Sequence, residues 1–74
     1  MNNMEFTAVY NTEALKGVEY SFEAQSDFKA AQFCGRKFSA ENILLVNHTT
    51  GEFIHLGDRK ETERLLNAYK EGRA

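Results

Sequence analysis

From Met4 to Tyr10 the chain alternates, with Met4, Phe6, Ala8 and Tyr10 on one parity and Glu5, Thr7 and Val9 on the other. That is the period of a strand half-buried against a core. Val18 to Ala24 alternates more cleanly, because Val18, Tyr20, Phe22 and Ala24 are separated by Glu19, Ser21 and Glu23. Together they predict a hairpin whose long loop, Asn11 to Gly17, has turn residues at both ends and room for a helical turn around Glu13 to Lys16. Ser26 before Asp27 then marks a helix start, since a cap hydroxyl satisfies a free N–H and an acid in the first turn meets the positive end of the dipole. The helix is expected over about Asp27 to Phe38. At 100° per residue Phe28, Ala30, Ala31, Cys34, Gly35 and Phe38 share a broad inward face, with Lys29, Gln32 and Arg36 opposite. Phe33 is expected to project from the polar side among Lys29, Arg36 and Lys37.

Ile43 to His48 and Glu52 to Leu56 flank Thr49, Thr50 and Gly51, and Gly51 can supply the left-handed position of a three-residue hairpin loop. Such a loop opposes Val46 to Ile54 and Leu44 to Leu56 on one face, and Leu45 to His55 and Asn47 to Phe53 on the other. Both faces are then partly apolar. A last helix is expected from Asp58, where Asp58 and Glu61 fit a capping box, to about Glu71, with Gly72 as its stop. Its apolar stripe is narrow: Leu65, Leu66 and Tyr69, with Thr62 and Ala68 alongside.

The order β-β-α-β-β-α predicts a single small α+β domain over residues 1–74, a four-stranded antiparallel sheet with the first helix on one face. The last helix is expected over an edge or the second face, covering Ile43, Leu45 and Phe53 through Leu65, Leu66 and Tyr69. Length agrees, for 74 residues leave no room for a second domain. A hydrophobic content of 42%, with six Phe and three Tyr, just suffices for a core at this size. The single cysteine excludes an internal disulfide framework and fits a reducing, cytoplasmic compartment. No secretory signal, apolar run of about 18 residues or lipidation motif is present, so no membrane partner is expected.

Chemistry beyond binding finds little support in the residues. Metal coordination needs several converging Cys, His or carboxylate ligands, and the His and Cys residues here are His48, His55 and Cys34. The expected hairpin register sends the two histidines to opposite faces. Cys34 falls on the inward helix stripe, where a thiol is buried and inert. The five glycines are isolated, so no phosphate cradle precedes a helix. Glu19 and Glu23 line up on one strand but in a chain with little concavity to shift a carboxylate. No cofactor, no metal and no enzymatic activity are expected.

Charge is unevenly spread. Residues 1–27 hold five acids against Lys16 alone, a net of −4, whereas residues 28–74 hold eight bases and six acids, a net of +2. Lys29, Arg36 and Lys37 have no acid between them, and with Phe33 they form the candidate partner-binding site: a cationic helix face with an aromatic centre, the composition of interface hot spots and of single-strand nucleic-acid contacts. The plainer reading is a solvated helix face whose Phe33 tucks against a neighbouring loop.

The segment Val18 to Ala31, V-E-Y-S-F-E-A-Q-S-D-F-K-A-A, runs from a strand ending in Glu-Ala-x-Ser into a helix with alanines inward and bases outward, and a β-hairpin follows. This layout, over roughly residues 4–56, resembles small phage-encoded inhibitors, particularly compact anti-CRISPR proteins aimed at type I surveillance complexes, and is similar to small phage proteins that bind host RNA polymerase. The resemblance implies a non-enzymatic binder, encoded by a phage or mobile element, that blocks a host defence or transcription complex. Two other readings stand beside it: a small nucleic-acid-binding module using Lys29, Phe33, Arg36 and Lys37, and a homodimeric structural protein pairing through Ile43, Leu45 and Phe53.

Overall fold

The computed structural model describes residues 3–73. Strands β1 (Met4–Tyr10) and β2 (Val18–Ala24) are followed by helix α1 (Asp27–Lys37), strands β3 (Ile43–Asn47) and β4 (Glu52–Leu56), and helix α2 (Arg59–Arg73). The four strands form one antiparallel sheet in the order β2-β1-β3-β4. α1 thus carries the chain from an edge strand over β1 to β3, on one face, and α2 returns over the other. The fold is α+β, a three-layer arrangement with the sheet in the middle. Its radius of gyration, 11.5 Å, matches the roughly 11 Å of a single compact domain of this length.

The central strands explain the layering. All of β3 is buried, as are Phe6 to Val9 of β1; an uninterrupted Ile-Leu-Leu-Val run is what a strand covered on both faces requires. On the α1 side, Phe6 and Ala8 meet Ile43 and Leu45 beneath Ala30 and Cys34. On the α2 side, Val9, Leu44 and Val46 meet Leu65, Leu66 and Tyr69. The last helix therefore lies on the second face, and the residues it covers are Leu44 and Val46. Ile43 and Leu45, expected beneath α2, are buried under α1, which removes them as a surface for homodimer pairing.

Ile43 and Leu45 are set on the α1 side by their pairing with Tyr10 and Ala8 of β1, and the second hairpin differs from the expected register by one residue. The observed pairs are Leu45 with Ile54 and Val46 with Phe53, and the loop has four residues, His48 to Gly51. Asn47 ends β3 and caps the turn with its side chain: Oδ1 accepts from the N–H of Thr49 at 2.9 Å and of Thr50 at 3.0 Å. The Gly51 N–H then donates to the Asn47 carbonyl at 2.8 Å, with Gly51 at φ +80° in the expected left-handed position. His48 leaves the strand, and Ile54 and Leu56 turn to the α1 side.

Both helix starts are capped. The Ser26 hydroxyl accepts from the Lys29 N–H at 3.2 Å, and Asp58 Oδ2 from the Glu61 N–H at 3.1 Å. The second arm of the expected capping box is taken by Asn42, whose Oδ1 accepts from the Asp58 N–H at 2.8 Å, while the Glu61 carboxylate holds Arg64 at 2.8 Å. Gly57 makes that corner possible. It sits at φ +107°, and a Cβ there would lie 2.5 Å from both the Glu41 carbonyl and Asn42 Oδ1. Gly72, expected to stop α2, lies inside it, since one glycine costs a helix only about 1 kcal/mol. No helix among the described residues is long and apolar enough to cross a membrane.

Candidate functional site

α1 is rolled about its axis relative to the orientation expected from its sequence. Ala30 and Cys34 are fully buried, Phe33 is half-buried, and Phe28 is 69% exposed. The helix has turned by roughly 60° on a 100°-per-residue wheel, because β2 presents aromatic rings to it. Phe33 lies tilted against Phe22 with ring centroids 4.5 Å apart, and contacts Tyr20 at 6.2 Å and Phe38 at 6.4 Å. The contacts of Phe33 with three rings favour its burial over that of Phe28 on the other flank. Phe33 is thus a core residue at the border of α1 and β2, and not the exposed anchor of a basic face.

The three bases predicted beside it stay at the surface. Lys29, Arg36 and Lys37 are all exposed. Lys37 leans on β2, its Nζ 4.9 Å from the centroid of the Tyr20 ring, a cation–π contact that leaves the ammonium at the rim. Lys29 and Arg36 stand with Gln32 on the outer surface of the helix, and Phe28, four residues before Gln32, joins the same surface. The one acid of the helix, Asp27, turns the other way: Oδ1 accepts from Asn47 Nδ2 at 2.8 Å. The outer face of α1 is therefore cationic without an acid, with Phe28 in the aromatic place that the sequence pattern assigned to Phe33. No local signal singles out Phe28, because Phe28 and Phe33 flank the Ala30–Cys34 stripe on either side and the rings of β2 decide between them.

The opposite pole of the molecule is acidic. α2 packs on β3, β4 and β1, and the end of that sheet face formed by Glu5, Ser21 and Glu23 is exposed. A shallow groove of about 540 Å³ runs there between Glu5, Thr7, Ser21, Glu23 and His48. Glu5 pairs across the strands with Glu23, and Thr7 with Ser21. Thr7, only 1% exposed, bonds to His48 Nε2 at 2.7 Å and to Ser21 Oγ at 3.2 Å. It stands between the two, so Ser21 is not the direct partner of the imidazole.

The four-residue loop puts His48 on the same side of the sheet as His55, correcting the opposite-face expectation. His55 is occupied by α2: Thr62 Oγ1 lies 2.8 Å from Nδ1 and donates its own proton to the carbonyl of Asp58 or Arg59, both at 3.1 Å. Nδ1 is accordingly the donor in that contact. Among the described residues no group of three or more His, Cys, Asp or Glu side chains is arranged to hold a metal ion. Cys34 is buried beneath α1, and burial pushes its thiol from 9.0 up to about 11, so it is protonated and unreactive at neutral pH.

Comparison of the chain with protein-family models, with curated proteins and with solved structures returned no match.

Proposed function

We propose that this protein is a non-enzymatic binding domain that docks onto an acidic surface of a protein or nucleoprotein complex through the outer face of α1. The observation that carries this reading is Phe28. Its ring, 69% exposed, lies on a helix surface that also presents Lys29, Gln32 and Arg36 and no acid. An exposed aromatic on a helix face that carries bases and no acid is a composition of binding hot spots, where the ring enters a partner pocket and the charges set orientation and on-rate. The three-layer body behind α1 supports it, since Ala30 and Cys34 pack the helix on the sheet and leave its backbone preorganised. A blocking role on a host defence or transcription complex, as in the phage-encoded inhibitors that the layout resembles, requires no more than such a surface.

Single-stranded nucleic acid is the competing partner, with Phe28 as a stacking platform. A photoreactive residue introduced at Gln32, compared with one at Lys60 on α2, identifies what lies against α1 in cells of the source organism. The reading requires a protein crosslink from Gln32 and none from Lys60. Recovery of nucleic acid instead, with affinity falling steeply as salt rises, moves the assignment to the second partner class.

A further inference from the structure

We propose that β2 is a docking edge, separate from the α1 face, which accepts an extended basic segment of a partner protein as a fifth strand. An edge strand of a sheet leaves every second N–H and C=O of its backbone directed away from its neighbour, a template for another chain. Of the two edges, β2 is the longer, seven residues against five for β4. β2 also offers a ledge on each side for the alternating side chains of a guest. On the α1 side that ledge is aromatic: Tyr20, 37% exposed with Lys37 Nζ 4.9 Å from its ring centroid at the rim, beside the half-buried Phe22 and Phe33. On the other side it is the open groove bounded by Glu5 and Glu23 with the Ser21 and Thr7 hydroxyls between them.

These two ledges define the chemistry of the guest. Its residues facing α1 must be apolar, and the alternate ones, facing Glu23 and Glu5, must be Lys or Arg, whose amino or guanidinium groups can donate to carboxylates and hydroxyls together. A second copy of this chain is the wrong occupant. Antiparallel self-pairing of β2 about Ser21 would set Glu19 opposite Glu23 twice, and like charges directly opposed across strands are destabilising. Glu23, with Glu5 beside it in the groove, attracts a basic strand.

The test uses a capped synthetic peptide of seven residues, the length of β2, alternating lysine with valine, together with a glutamate-for-lysine version. A third version is N-methylated at alternate amides. Backbone amide exchange is measured residue by residue on the intact protein. The lysine peptide is expected to slow exchange in β2 and not in β4. N-methylation on the docking side should abolish the effect. Glu23→Lys, an exposed change that leaves the fold intact by circular dichroism, should weaken the lysine peptide by at least about tenfold and admit the glutamate peptide. Failure of the lysine peptide to protect β2 overturns the proposal and leaves the carboxylates as guards of the edge alone. So does equal binding of both peptides, or a doubling of molar mass with β2 protected in the absence of peptide.

Discussion

Asn47 and Asp27 are joined by a 2.8 Å hydrogen bond between the Nδ2 of the first and the Oδ1 of the second, tying the end of β3 to the first turn of α1. Asn47 is fully buried and has every polar valence used: Nδ2 also reaches Met4 Sδ at 3.3 Å, and Oδ1 holds the two N–H groups of the β3–β4 turn. One side chain therefore sets both the hairpin register and the seat of the helix that carries the proposed interface.

Asn47→Asp keeps the shape but places a second carboxylate against Asp27 and removes the donor. A loss of about 3 kcal/mol is expected, since a buried network is broken and a like charge introduced. Chemical denaturation at neutral pH measures it. A variant within about 0.5 kcal/mol of the parent would show that the link contributes nothing to stability.

Phe33 and Phe28 are separated by the roll of α1, and stability distinguishes them. Phe33→Ala removes a ring packed on Phe22 and should cost about 3 kcal/mol. Phe28→Ala removes one that is 69% exposed and should stay within about 0.5 kcal/mol. Denaturation midpoints of the two variants decide the matter, and the reverse ranking would restore the helix orientation expected from sequence.

Cys34 gives the stability a pH signature. The thiol of the unfolded chain releases its proton near pH 9.0, whereas burial holds the folded one until about 11. The folded state binds the extra proton in that window, so this contribution is intact below pH 9 and is lost as pH rises from 9 to 11. Cys34→Ala removes the titration along with a little packing. The stability advantage of the parent over the variant should therefore narrow across that window. Fast labelling of the native thiol at neutral pH would contradict the burial on which this rests.

The strands and helices were legible because their periods are local: the alternation in Val18 to Ala24 and the Ser26 cap need nothing from elsewhere in the chain. The roll of α1 was not, since Phe28 and Phe33 flank the Ala30–Cys34 stripe on either side, and only the rings of Tyr20 and Phe22, brought up by the sheet, decide which one packs. The β3–β4 register was missed for a related reason. Loop length there follows from the Asn47 side chain capping Thr49 and Thr50, a short-range signal that an Asn followed by turn residues does carry. The basic residues of the candidate site, Lys29, Arg36 and Lys37, were readable as a run without acids, while their aromatic companion depended on the packing.

The most direct test of the outer face of α1 as the binding surface is the affinity of purified variants for the partner crosslinked at Gln32. Phe28→Ala and Arg36→Glu are both expected to weaken binding by more than about tenfold, the loss typical of a hot-spot anchor. Lys60→Glu, an equally exposed charge reversal on α2, should leave affinity within about twofold, as a charge outside the interface acts only through the screened long-range field. Unchanged affinity for Phe28→Ala and Arg36→Glu, with the fold preserved, would contradict the assignment of the α1 face.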